Sequence, residues 1–150
     1  QLLWTVRRMI KILVIEDEEP IRDKIVTVLK YENYEVIEAP NGREGVVSAR
    51  ANRPNLIICD VLMPDLNGYS ALEALREDPE TSVIPVIFLT AAASRADMRK
   101  GMELGADDYI TKPYTVEELL AAVRTRLERQ EIIKGGGESG AMSARGTAKS

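Results

Sequence analysis

Three short apolar runs, each closed by a residue that can do chemistry, constrain this chain more than any other feature. Residues 11–17 read Lys-Ile-Leu-Val-Ile-Glu-Asp, residues 54–60 read Pro-Asn-Leu-Ile-Ile-Cys-Asp, and residues 84–90 read Ile-Pro-Val-Ile-Phe-Leu-Thr. A strand that is apolar at successive positions must be covered on both faces, which is the condition of a strand inside a parallel sheet. Two shorter strands are predicted at residues 34–38 and 107–111. The stretches between them carry apolar residues at helical spacing. Pro20 suits a first helical turn, and Ile21, Ile25, Val28 and Leu29 follow it three and four residues apart. Asn41-Gly42 is a turn signal, after which Val46 and Val47 mark a helix ending near Asn52. Residues 68–78 form a third helix with Leu72 and Leu75 inward. Ser94 is the N-cap of a fourth, which carries Met98, Met102 and Leu104 and is closed by Gly105. Thr115-Val-Glu-Glu118 fits a capping box and opens an amphipathic helix through Leu119, Leu120, Val123 and Leu127. Five strands alternating with five helices through short connections predict one α/β domain, a parallel sheet with helices on both faces.

The domain so predicted spans residues 10–130. Residues 1–9 read as an N-terminal extension and residues 131–150 as a flexible tail, since Gly, Ser and Ala dominate from Gly135 onward. The last helix is expected to run to Ile133 and stop at the glycine triplet. Composition then narrows the chemistry. The chain has 150 residues, no histidine and one cysteine. It therefore lacks the usual general base of a triad, an internal disulfide and any thiolate metal cluster. What remains is chemistry on carboxylates, hydroxyls, lysines and a hard metal. A net charge of −4 gives no general attraction to nucleic acid or an anionic membrane. No apolar run reaches the roughly 20 residues that span a bilayer, so the expectation is a soluble, cytoplasmic protein.

In open parallel sheets, ligands bind at the carboxyl ends of the strands where strand order reverses. Glu16-Asp17, Asp60, Thr90 and Lys112 all stand at such ends. With the first and third strands as neighbours about 4.8 Å apart, Asp17 and Asp60 face each other across a single gap. Crowded carboxylates need a counter-charge, and Mg²⁺ is the cation that pairs one or two of them with water and phosphate oxygens. The metal and Lys112 together would favour a phosphoryl group approaching a carboxylate nucleophile. Thr90 offers it a hydroxyl, and Ala91 leaves the approach open.

These residues resemble the receiver domain of two-component response regulators. The likeness rests on Glu16-Asp17, on Asp60-Val-Leu-Met-Pro64 with Gly68, on Phe88-Leu-Thr90-Ala91, and on Gly105-Ala-Asp-Asp-Tyr109 running on to Lys112-Pro113. It covers about residues 10–129. The resemblance implies a flavodoxin-like, five-stranded parallel sheet of order 2-1-3-4-5. It implies Asp60 as phosphoacceptor, with Asp17, Asp60 and the Leu62 carbonyl ligating Mg²⁺ and Glu16 acting through water. Glu16 stands where Asp is also common. Lys112 would pair with the phosphate, Thr90 and Tyr109 would be the switch pair, and a cis bond is expected before Pro113. The implied partners are a sensor histidine kinase or phosphotransfer protein and a downstream effector or output domain. The face made by the fourth helix, fifth strand and fifth helix would carry the signal, and is a candidate homodimer contact. No DNA-binding motif follows the domain, so no direct contact with nucleic acid is expected.

The enzymatic rival is a Mg²⁺-dependent phosphatase of the haloacid-dehalogenase type, which also uses an Asp nucleophile, a Ser or Thr, a Lys and acidic metal ligands. Such enzymes carry a second Asp two positions after the nucleophile, and here that position is Leu62. A nucleotide-binding module is opposed by the Glu16-Asp-Glu-Glu19 turn, which repels phosphates where a Gly-rich loop would cradle them. The expected role is thus a phosphoacceptor switch with slow self-dephosphorylation. Apolar Leu62 and Ala92 would hinder an attacking water, and Cys59 is read as a small core residue.

Overall fold

The computed structural model describes residues 10–91 and 95–139. Five strands, β1 (Lys11–Ile15), β2 (Glu35–Ala39), β3 (Leu56–Asp60), β4 (Val86–Thr90) and β5 (Asp108–Thr111), form one sheet of order β2-β1-β3-β4-β5. All four pairings are parallel. The helices between and after them are α1 (Glu19–Tyr31), α2 (Gly42–Asn52), α3 (Gly68–Glu77), α4 (Arg95–Glu103) and α5 (Val116–Ser139). This is the flavodoxin-like architecture that the alternating apolar runs and the resemblance imply.

Each strand supplies both faces of the sheet because successive side chains point opposite ways. Ile12, Val14, Ile58, Ile87 and Leu89 pack beneath α1 and α5, against Ile25, Leu29, Leu119 and Val123. Leu13, Ile15, Ile57, Cys59, Val86 and Phe88 pack against α2 and α3, through Val46, Ala49, Leu72 and Leu75. Two cores thus sandwich the sheet, and β1, β3 and β4 are almost wholly buried. Cys59 is one of those core residues, and burial pushes its thiol well above its usual range. Val46 and Val47 part company: Val46 is buried and Val47 is exposed, since adjacent helical residues lie about 100° apart.

Local signals set the helix ends. Pro20 occupies the first turn of α1. The Asn41 side chain accepts from the Glu44 amide at 2.8 Å and caps α2, and Asn67 caps α3 through the Ser70 amide at 2.9 Å. Both arms of the predicted capping box form: Glu118 N–H donates to Thr115 Oγ1 at 3.0 Å, and Thr115 N–H to Glu118 Oε1 at 2.8 Å. Gly105 follows α4 with φ +105°, a conformation that a side chain would strain. The Lys112–Pro113 bond is cis, as the resemblance implies. One end differs from expectation. The helix α5 continues through the glycine triplet to Ser139, because propagation adds a backbone bond for each residue fixed and glycine lowers that gain without forbidding it. The predicted extension at residues 1–9, the Ser94 cap, Ala92 and the tail from residue 140 lie outside the described residues.

Candidate functional site

The register brings the chemistry together. Ile15 of β1 stands opposite Cys59 of β3, so the next residue along each strand, Glu16 and Asp60, emerges at the same level of the sheet. Asp60 in turn stands opposite Leu89 of β4, and Thr90 of β4 opposite Thr111 of β5. Glu16 and Asp60 therefore share one level of the carboxyl edge, with Thr90 one residue and Lys112 two residues further along the neighbouring strands. The Lys112 amide donates to the Thr90 carbonyl at 2.7 Å, which fixes where that lysine begins.

Carboxylate oxygens of Glu16, Asp17 and Asp60 lie within 4.8 Å of one another. Lys112 Nζ stands 3.8 Å from Glu16 Oε1 and 3.8 Å from Asp60 Oδ1. Glu16 and Asp60 are buried at 1% and 6% exposure, while Asp17 is half-buried. Burial is the largest influence on the Glu16 carboxyl, which is pushed up from 4.5 to about 7; the Glu18 amide and Lys112 pull it down, while Asp60 and Asp17 add to the rise. The Glu18 amide donates to Glu16 Oε2 at 3.1 Å, whereas the buried Oε1 has no hydrogen-bond partner. Asp60 is also raised, chiefly by burial and further by Asp17, against the pull of Lys112 and the Leu62 and Val61 amides. Two buried carboxyls held close together favour a neighbouring positive charge, which offsets their mutual repulsion.

Sequence reasoning placed Glu16 in an outer role, yet it is the most deeply buried acid of the group. Its donors suit a hard divalent cation: three carboxylates in one small volume and a buried oxygen that lacks a partner. The Leu62 amide reaches Asp60, and the Leu62 side chain is 67% exposed.

A second group of residues surrounds Tyr109, and most of it went unread in the sequence. The Tyr109 ring centroid lies 5.5 Å from that of Phe88 in a tilted contact, and Tyr69 meets Phe88 in an edge contact at 5.3 Å. Tyr109 Oη donates to Tyr69 Oη at 3.0 Å, and the Asp97 carbonyl lies within reach of both hydroxyls, at 3.0 Å from Tyr69 and 3.1 Å from Tyr109. A Cβ on Gly101 would collide with the Tyr109 hydroxyl. Burial and the neighbouring Tyr69 push the Tyr109 hydroxyl far above its usual range, so it stays a proton donor. Thr90 is buried at the end of β4, two residues beyond Phe88. Met98 and Met102 of α4 are exposed rather than packed.

The acidic trio and the lysine stand at the carboxyl ends of the strands, where open parallel sheets place their functional sites. The family profile described as "Response regulator receiver domain" matches residues 12–124, and the chain belongs to that family. It is 44% identical over 121 residues to a "Probable transcriptional regulator ycf27" of Cyanophora paradoxa, covering 81% of this chain and 49% of that relative. The chain thus spans about half the length of the curated relatives it matches. Among solved structures it resembles the chemotaxis protein CheY4 of Vibrio cholerae, with a TM-score of 0.75, 32% identity, and 78% and 98% of the two chains covered. It also resembles the signal receiver domain of a signal transduction histidine kinase from Syntrophus aciditrophicus, with a TM-score of 0.73, 37% identity, and 79% and 89% covered. This is a two-component receiver module, a signalling switch, and the haloacid-dehalogenase reading finds no support. No described helix is long and apolar enough to cross a membrane.

Proposed function

We propose that Asp60 is the phosphoacceptor of this receiver, and that the phosphodonor is a sensor histidine kinase or a phosphotransfer protein. A carboxylate oxygen of Asp60 attacks the phosphorus of a phosphohistidine. The new O–P bond forms as the P–N bond breaks, and the imidazole leaves with its electron pair. The observation that carries this reading is the setting of Asp60: buried, within 4.8 Å of two further carboxylates, and 3.8 Å from the Lys112 ammonium.

Glu16, Asp17, Asp60 and the Leu62 carbonyl are the proposed Mg²⁺ site, with Glu16 acting through water. Bound there, the cation would neutralise charge on the carboxylates and the arriving phosphoryl oxygens. Lys112 pairs with a phosphoryl oxygen from the β5 side, and the Val61 and Leu62 amides hold the Asp60 carboxylate in place. Thr90 donates its hydroxyl to the phosphoryl group, and Tyr109 packs inward behind it. The added charge, roughly −1.5 to −2 at neutral pH, biases the α4–β5–α5 face that contacts an effector or output domain, or a second copy of the chain. Decay is slow self-dephosphorylation, held back by apolar Leu62.

Intact mass after incubation with a small acyl-phosphate donor tests this, with and without Mg²⁺, for wild type and Asp60→Asn. One phosphoryl adduct that needs Mg²⁺ and is missing from the folded mutant is expected. An adduct retained by Asp60→Asn, or steady phosphate release from added phosphoesters, would overturn it.

A further inference from the structure

The Phe88–Tyr69–Tyr109 cluster joins four elements. Tyr69 comes from the first turn of α3, Phe88 from β4, the Asp97 carbonyl from the first turn of α4, and Tyr109 from β5. Each hydroxyl has one proton to give. The arrangement that uses both is a relay in which Tyr109 donates to Tyr69 Oη and Tyr69 donates to the Asp97 carbonyl. A phenol that loses this partner keeps the alternative acceptor only at the longer 3.1 Å contact. The Lys100 ammonium, one turn further along α4, lies 5.4 Å from the centre of the Tyr69 ring, near enough for a cation–π attraction. Gly101 leaves the space that the Tyr109 hydroxyl occupies against the helix.

We infer that Tyr69 is a positioning residue of the switch: its hydroxyl latches Tyr109 inward and ties the first turn of α4 to α3. The inference rests on the reading of Thr90 and Tyr109, both on strands, as the switch pair and adds a third member on a helix. Its consequence is directional. A latch that holds Tyr109 inward without a phosphoryl group lowers the work left for phosphorylation, because a ligand shifts an equilibrium only as far as it distinguishes the two states. Output would then respond to the latch as well as to Asp60. Tyr69→Phe keeps the ring against Phe88 and removes only the hydroxyl relay.

The full chain labelled with 3-fluorotyrosine provides the test by fluorine NMR, with the Tyr109 resonance assigned from its loss in Tyr109→Phe. In Tyr69→Phe that resonance should move toward the position of free tyrosine. The inward-to-outward ratio should fall about fivefold, equivalent to ~1 kcal/mol for one net hydrogen bond. Gly101→Ala, which closes the space, should displace the same resonance further. Addition of acyl phosphate and Mg²⁺ should then move Tyr109 back inward in Tyr69→Phe while shifting it little in wild type. An unchanged Tyr109 resonance in Tyr69→Phe, with the variant folded, would overturn the latch. A Tyr109 shift in Tyr69→Phe with no response to acyl phosphate in either protein would preserve the latch and count against Asp60 phosphorylation instead.

Discussion

At the β1–β3 end of the carboxyl edge, carboxylates are buried against one another, one Glu16 oxygen has no hydrogen-bond partner, and burial raises the proton affinity of both Glu16 and Asp60. At the β4–β5 end, two neutral phenols pack against Phe88 in edge and tilted contacts and close their hydroxyls onto each other and the Asp97 carbonyl. The first cluster lowers the stability of the fold around it, since buried carboxylates lose water that one lysine does not fully replace. The second adds to stability through ring burial and satisfied donors. The incomplete cluster can respond to an incoming ion, and the complete one can hold a position until something displaces it. A switch needs both within reach of each other, and here β4 links them, carrying Phe88 in one and Thr90 beside the other.

The largest expected effect falls on the complete cluster. Phe88 is fully buried between the tyrosines and the α2–α3 core, so Phe88→Ala should cost about 3–5 kcal/mol in urea-unfolding free energy. A loss under ~1 kcal/mol would mean that the cluster contributes little to the fold and the contrast between the two ends is wrong. Lys112→Ala acts on the incomplete cluster and should slow acyl-phosphate labelling of Asp60 by about a hundredfold, the usual scale for losing one preorganised electrostatic contact. Its thermal midpoint should change far less than that of Phe88→Ala. Labelling at the wild-type rate would remove Lys112 from the chemistry.

The acid pocket should also make stability depend on pH. The folded-state Glu16 carboxyl is raised from 4.5 to about 7, so between those values the folded protein holds a proton that the unfolded chain releases. The associated stabilisation is complete below about 4.5 and is lost as pH rises through about 7. Thermal melts in metal-free buffer should fall across that window, with Glu16→Gln flattening the profile and excess Mg²⁺ abolishing the fall. A metal-free profile that rises over the same window would refute this account of Glu16. The smallest effect lies far from both clusters: Thr115→Ala breaks the capping box of α5 and should cost about 1 kcal/mol, with acyl-phosphate labelling unchanged.

The pocket was readable because its residues sit at strand ends. An apolar run that stops at Asp60 declares both the strand and the place where its side chain emerges, and a parallel sheet then aligns that place with Glu16 and Lys112. The strand order came through the family likeness, since periodicity alone does not choose between neighbours. The α5 cap was readable from the Thr115–Glu118 pair, whose bonds are local, whereas Asn41 read as a turn signal and its capping role came from the structure. The tyrosine relay was not. Tyr69 and Tyr109 are forty residues apart, and nothing in either neighbourhood announces the other. A glycine at position 101 inside a helix was the one available signal, since helices lose stability to glycine unless something needs the space. The burial of Glu16 below Asp17 was equally silent, because adjacent acids look alike until the sheet assigns them to different depths.

Lys112 stands 3.8 Å from each of two carboxylates, beyond the reach of a hydrogen bond to either. Its ammonium is therefore held near them by field and not by a directional bond. An oxyanion arriving between them has no lysine–carboxylate hydrogen bond to rupture before it can bind. The reorganisation such a step would normally demand of the lysine has already been avoided by the way the chain folds.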